Sequence, residues 1–93
     1  MAIHSFKCQD TQTLFEGLRV RRWVNIERSA LRKLAQLDWS SVLEDLRITP
    51  GNHLEALKGN RQGQHSIRIN DQWRVCFVWN GDGPKDVEIV DDH

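Results

Sequence analysis

Residues 64–79 read QHSIRINDQWRVCFVW, and this stretch decides the fold class. Apolar and polar residues alternate on both sides of Asn70-Asp71, which is a turn-forming pair. Alternation with a period of two is typical of a half-buried β-strand. The stretch therefore predicts a β-hairpin, with Ile67 on one face and with Arg68 and Arg74 together on the opposite face.

The sequence on either side of this hairpin predicts two more strands. Residues 80–84, Asn-Gly-Asp-Gly-Pro, form a second turn signal and precede a strand through residues 87–90. Residues 3–7, IHSFK, also alternate and predict a short first strand. Successive strands joined by short turns favour an antiparallel meander.

Helices are predicted between the first strand and the hairpin. Residues 23–38 place apolar side chains at spacings of three and four, which is typical of an amphipathic helix. A shorter helix is predicted after Asp10 and Thr11, which act as caps, with Leu14, Phe15 and Leu18 as its apolar stripe. Residues 41–46 begin with Ser and have Glu at the fourth position, the form of a capping box. The prediction is one α+β domain over 1–93, a small antiparallel meander with N-terminal helices packed on one face.

Composition favours an ordinary soluble domain. The chain has 93 residues, 39% hydrophobic and 28% charged, and its apolar runs are too short for a membrane span. The first ten residues lack the apolar stretch of a signal peptide. Cys8 and Cys76 have no CxxC spacing, so no disulfide framework or metal site is predicted. We expect a cytosolic chain without a cofactor.

The net charge of zero conceals an uneven distribution. Residues 19–74 carry eleven basic and six acidic side chains, whereas 75–93 carry one basic and five acidic ones. Nine of the eleven basic residues in the middle segment are arginines. Arginine suits two-pronged binding of phosphate. Solvated helix faces explain such charge blocks equally well.

Several polar residues are candidates for chemistry. Arg68 and Arg74, with Lys58 and Arg61 from the preceding loop, have the charges for a phosphodiester clamp, although ordinary solvated strand residues fit the same pattern. His93 follows two aspartates and suits proton transfer, although chain ends are often frayed. His65 shares the face of the strand isoleucines, and this position favours packing over catalysis. The four tryptophans, Trp23, Trp39, Trp73 and Trp79, are predicted to pack in the core rather than to stack on bases.

Three blocks of the sequence resemble a known family. They are PGNHLEALKG at residues 50–59, QHSIRINDQWRVCF at 64–77 and DVEIVDDH at 86–93. Together they resemble the HigB toxins, the "plasmid maintenance killer" branch of the RelE/ParE toxin superfamily. The resemblance implies a RelE-like fold and a ribosome-dependent mRNA endonuclease of a type II toxin-antitoxin system. It also implies a HigA-type helix-turn-helix antitoxin as partner, ribosome and mRNA as targets, and operator DNA bound only through the antitoxin.

The resemblance assigns roles to individual residues. Arg74 matches the strand arginine that stabilises the transition-state phosphate, Arg68 matches a basic residue beside the RNA, and Lys58 matches the lysine of an LKG motif. Asp91 and His93 match a C-terminal Asp-x-His that assists proton transfer. The predicted catalytic residues are Arg74, His93, Asp91, Lys58 and Glu55, and the predicted RNA-binding residues are Arg68, Asn70, Arg61 and His53.

Two positions depart from the family pattern. Asp92 stands where the family usually has Tyr, so stacking or proton transfer by that tyrosine does not operate here. Glu55 stands where some members have His, and His53 is the nearby substitute. We expect either a weak nuclease or one in which Asp91 and His93 compensate.

Two other functions remain open at this stage. One is a non-catalytic inhibitor of DNA gyrase, as in ParE-type relatives, and the other is an inert protein that only binds its antitoxin. The Asp-x-His terminus and the LKG lysine favour the nuclease, since a gyrase inhibitor needs no proton-transfer groups.

Overall fold

A computed structural model describes residues 3–91 and has helices packed against one face of a four-stranded antiparallel sheet. The helices are α1 (Gln9–Phe15), α2 (Glu27–Trp39) and α3 (Glu44–Arg47), with 3₁₀ turns at Arg21–Ile26 and Gly59–Arg61. The strands are β1 (Glu55–Ala56), β2 (His65–Arg68), β3 (Trp73–Asn80) and β4 (Gly83–Asp91), in the spatial order β1-β2-β3-β4. The predicted α+β class and the antiparallel meander are confirmed.

The central hairpin has the predicted register. The side-chain oxygen of Asn70 accepts hydrogen bonds from the backbone N–H groups of Gln72 and Trp73, at 2.9 and 2.8 Å, and so closes the turn between β2 and β3. Arg68 and Arg74 are direct partners across the two strands. Side chains of directly opposed residues lie on one face, so the predicted placement of both arginines on the same face is confirmed.

The core lies between the helices and the covered face of the sheet. Its helix-side residues are Leu14, Val20, Trp23, Ala30, Leu34, Leu37 and Leu46, and its sheet residues are Ile67, Ile69, Val75, Phe77, Val87 and Ile89. Trp23 is fully buried and meets the ring of Trp73 edge to face, with 6.2 Å between centroids. Trp39 is 84% exposed at the end of α2, so its predicted core position is wrong.

The N-terminal segment differs from the predicted strand. Only Phe6 forms a β-bridge, parallel to Val87 of β4, although backbone hydrogen bonds also join His4 to Pro84 and Lys7 to Val87. Asp86, next to Val87, has a φ of 52° and lies where the ladder between β3 and β4 shifts register.

The predicted helix starts are wrong in detail. α1 begins at Gln9 without a side-chain cap. Thr11 is instead buried, and its hydroxyl oxygen accepts a hydrogen bond from Ile89 N–H at 3.0 Å, which ties α1 to β4. Leu18 lies beyond the end of α1 and is 59% exposed. It is therefore no part of the apolar stripe.

The other two helices begin later than predicted, whereas α1 begins earlier. α2 begins at Glu27 because Trp23 has non-helical dihedral angles, and residues 21–26 form a 3₁₀ turn. Before α3, the carboxylate of Asp45 accepts hydrogen bonds from the backbone N–H groups of Ser41 and Val42, at 2.9 and 3.2 Å. An aspartate in the first turn of α3 therefore performs the capping that the sequence assigned to Ser41.

Within residues 3–91, no helix combines the length and apolar character needed to cross a membrane. The same part of the chain contains no group of three or more His, Cys, Asp or Glu side chains arranged to hold a metal ion.

Candidate functional site

The uncovered face of the sheet carries polar residues in two rows, which we call the open face. One row consists of Glu55, Ser66, Cys76 and Glu88, and the other consists of Arg68, Arg74 and Val90. Each row follows from the antiparallel register, because directly opposed residues point to the same side. The hairpin predicted from sequence therefore builds the centre of the site.

Arg74 lies at the centre of the open face and is only 8% exposed. Its Nε donates to the Ser66 hydroxyl at 2.7 Å, and its Nη2 donates to the His53 carbonyl at 2.8 Å. Nη2 also lies 3.5 Å from the carboxylate of Glu55. Among the described residues, none accepts a hydrogen bond from Nη1. The guanidinium is therefore fixed along one edge and keeps a donor for an anionic ligand.

The loop before β1 holds Arg74 through its backbone. His53 is exposed and has a φ of 47°, in the left-handed region, and its carbonyl receives the Arg74 hydrogen bond. A left-handed conformation costs about 1–2 kcal/mol for a residue other than glycine. The prediction assigned His53 to RNA through its imidazole. The structure shows a second connection to the site, through the carbonyl.

Asn52 fixes this loop and was not found from the sequence. It is fully buried, its side-chain NH₂ donates to the Leu46 carbonyl at 3.1 Å, and its side-chain oxygen accepts from Lys33 Nζ at 2.6 Å. Its backbone carbonyl accepts from Arg68 N–H at 2.6 Å. One asparagine thus links α2, α3 and β2. These three partners could not be predicted from the Pro-Gly-Asn sequence, because they are distant in sequence or lie on other elements.

A cleft opens beside Arg74. It has a volume of about 290 Å³ and is lined by Leu57, Arg61, Ser66, Arg74, Cys76, Val90 and Asp91. A cleft with two guanidinium groups and a hydroxyl suits a phosphate group. Ser66 is the contact that sequence reasoning missed, although its place on the same face as Arg74 follows from the strand alternation.

Arg61 reaches this cleft from the 3₁₀ turn after β1, but an acid already neutralises it. Its Nη1 donates to Glu88 at 3.0 Å and to Gln64 at 3.1 Å. The hydrogen bond that Arg61 donates to Glu88 raises the pKa of Arg61 above its ordinary value. Glu88 also lies 3.7 Å from Lys7 Nζ. Glu88 therefore compensates part of the positive charge that Arg61 brings to the cleft.

The remaining predicted residues are placed around this centre. Glu55 is mostly exposed beside Arg74, and Lys58 is exposed between β1 and the Gly59–Arg61 turn. Arg68 pairs with the carboxylate of Asp71. Asn70 uses its side-chain oxygen to close the hairpin turn, so this atom serves the fold rather than a ligand.

Asp91 is the last described residue and lines the cleft. It is opposite Trp73 in the ladder and accepts a hydrogen bond from the side chain of Gln72 at 3.1 Å. The predicted proton-transfer residue His93, and Asp92 in the position of the usual tyrosine, lie outside the described residues.

His65 packs as predicted. Its ring stacks on Phe77 with 6.2 Å between centroids, and its Nδ1 is buried without a hydrogen-bond partner in the described part of the chain. Burial, with a smaller effect of the Arg47 charge, lowers the pKa of His65. This packed imidazole on the core side of the sheet does not line the cleft.

Comparison with known proteins identifies the family of the chain. A family model described as the RelE-like toxin of the type II toxin-antitoxin system HigB matches residues 5–93. The chain belongs to the HigB-like toxin family. It is 49% identical over 76 residues to Toxin HigB-1 of Vibrio cholerae serotype O1, covering 80% of each chain. It is also 36% identical over 55 residues to an uncharacterized protein of Haemophilus influenzae, covering 59% of this chain and 54% of the other.

Family membership confirms the resemblance noted in the sequence. A HigB-like protein is a toxin of a type II toxin-antitoxin system, and such a toxin has a protein antitoxin as its partner. The helices and the four-stranded antiparallel sheet agree with the RelE-like fold.

Proposed function

We propose that this HigB-like toxin is a ribosome-dependent endoribonuclease that cuts mRNA and so inhibits translation. It acts in the cytoplasm and is neutralised by a HigA-type helix-turn-helix antitoxin. Operator DNA is bound only through that antitoxin.

The observation that carries this proposal is the fixed guanidinium of Arg74 beside the cleft. Its hydrogen bonds to Ser66 and to the His53 carbonyl hold it in one orientation before any ligand arrives. A preorganised cation stabilises charge that develops in a transition state without a cost of reorganisation. RNA cleavage develops such charge on the scissile phosphate.

Cleavage of RNA by its own 2′-hydroxyl needs a base, an acid and a cation. Arg74 supplies the cation, and Lys58 and Arg68 add positive charge. Glu55 lies 3.5 Å from Arg74 and is the candidate base for the 2′-hydroxyl proton. His93 is the candidate acid for the leaving 5′-oxygen, and Asp91, two residues before it, lines the same cleft.

Primer extension on a reporter mRNA in a purified translation system tests the proposal. The wild-type chain should cut the message only when ribosomes are present, and Arg74→Ala should lower cleavage by about 100-fold or more, as for loss of one preorganised charge-stabilising group. Arg19→Ala is the matched control, since Arg19 is exposed and its ion pair within residues 3–91 is a long one, at 3.9 Å to Glu27. It should cut like the wild type.

Thermal unfolding of each variant separates a damaged site from a damaged fold. Absence of cuts by the folded wild type, with or without ribosomes, would contradict the nuclease. Inhibition of gyrase supercoiling by the same preparation would then favour the ParE-like alternative. An Asp92→Tyr variant run alongside shows how far that aspartate lowers activity.

A further inference from the structure

Lys33 is a cation connected to Arg68 through Asn52, and neither the sequence motifs nor the family assignment places it in the site. It lies on α2, is half-buried, and donates from Nζ to the Asn52 side-chain oxygen at 2.6 Å. The backbone carbonyl of Asn52 accepts the N–H of Arg68, also at 2.6 Å. Asn52 therefore connects the ammonium group of Lys33, on α2, to the backbone of Arg68, on β2. We call Lys33, Asn52 and Arg68 the Asn52 cluster.

The positive charge of this cluster is poorly compensated. No carboxylate among residues 3–91 forms a salt bridge with Lys33, whose hydrogen-bond acceptor is a neutral amide. Burial lowers the pKa of Lys33, and the charges of Arg32 and Arg68 lower it further. Arg68 has an ion pair with Asp71, whose side chain is 98% exposed. Ion pairs this exposed contribute little to stability, so a stronger anion replaces Asp71.

The position of the cluster identifies the anion. Arg68 is the direct neighbour of Arg74 across β2 and β3. Directly opposed residues of an antiparallel pair have Cα atoms about 4.5–5.5 Å apart. When an extended RNA strand has its scissile phosphate at Arg74, its neighbouring phosphate therefore lies within reach of Arg68. The arginine offers a planar fork and the lysine a point charge, which together suit one phosphate group.

We propose that Lys33 and Arg68 bind a backbone phosphate of RNA adjacent to the phosphate at Arg74. This inference rests on the proposed nuclease function. In it, Asn52 is a positioning residue: it holds Lys33 at the end of β2 and touches no RNA. The cluster gives no sequence specificity. Phosphate contacts fix the position of the RNA, whereas recognition of the bases depends on other groups.

The test is the salt dependence of binding to a fluorescein-labelled ten-nucleotide RNA with 2′-O-methyl ribose throughout. The methyl group blocks attack by the 2′-oxygen, so binding is measured without cleavage. Each phosphate contact contributes about −0.7 to the slope of log K against log salt for a single strand. Lys33→Gln removes the charge and keeps an amide donor for Asn52, and we expect the slope to become shallower by about 0.7. Lys33→Arg should keep the wild-type slope.

Lys85→Gln is the matched control, because Lys85 lies at the opposite end of β4, near the β3–β4 turn. It should leave the slope unchanged, and thermal unfolding should show that all variants are folded. An unchanged slope for Lys33→Gln, or wild-type binding without salt dependence, overturns the proposal. A shallower slope for Lys33→Gln, with no variant cutting mRNA on ribosomes, supports the phosphate site while contradicting the nuclease.

Discussion

At the scale of single residues, the orientation of Arg74 depends on groups that perform no chemistry themselves. Ser66 is fully buried and accepts from Arg74 Nε at 2.7 Å, while the His53 carbonyl accepts from Nη2. A hydrogen bond to a charged group contributes about 1.5–3 kcal/mol. The position of the guanidinium is therefore set by Ser66 and the loop together, and loss of either partner should release one side of it.

Substitution of Ser66 by alanine should lower cleavage while the fold remains. The Arg74 Nε–H loses its partner, so the guanidinium becomes less well oriented, and we expect about a tenfold lower rate of cleavage. The free energy of unfolding should fall by about 1–3 kcal/mol, the cost of an unsatisfied buried donor. Ser66→Thr keeps the hydroxyl and is the matched control. Equal cleavage by Ser66→Ala and the wild type, measured with ribosomes, would contradict this role.

At the scale of elements, the hairpin was predictable and the loops were not. Alternation over residues 64–79 fixes which side chains share a face, so the pairing of Arg68 with Arg74 followed from sequence. The helix starts were wrong because distant partners decide them, as when Thr11 binds the backbone of Ile89 instead of capping α1. The burial of Arg74 was also missed, since it depends on the backbone of His53.

The contact between β4 and the turn after β1 limits the positive charge of the cleft. Glu88 on β4 binds Arg61 at 3.0 Å. Arg61 lines the cleft, so Glu88→Gln should free its guanidinium and remove the negative charge paired with it. Binding of the 2′-O-methyl RNA should therefore strengthen several-fold. Glu16→Gln is the control, because it makes the same change of charge on an exposed residue of the α1 end. Equal affinities for the two variants would show that Arg61 does not contact RNA.

At the scale of the whole molecule, the charged residues are unevenly distributed although the net charge is zero. Five of the eleven basic residues of the middle segment lie at or beside the open face: Lys33, Lys58, Arg61, Arg68 and Arg74. From the acidic last segment, Asp91 lines the cleft and Glu88 pairs with Arg61. A polyanion is therefore attracted by the local arginines and lysine rather than by the overall charge. Binding should weaken steeply with salt, because phosphate contacts dominate such affinity.

The stability of the whole domain should fall at mildly acidic pH because of His65. Burial lowers the pKa of this imidazole in the folded chain, so the unfolded chain binds the proton more tightly, at its ordinary pKa near 6.5. Stability from the neutral imidazole is complete above about pH 6.5 and is lost as the pH falls below that value. The charge of Arg47 acts in the same direction as burial and also lowers the pKa of this ring. His65→Phe keeps an aromatic ring against Phe77 and cannot be protonated, so its midpoint of thermal unfolding should fall less between pH 7.5 and 5.5 than that of the wild type.

His4→Gln, at an exposed position, should follow the wild type. An equal fall for His65→Phe and the wild type would show that other groups control the acid sensitivity of the domain.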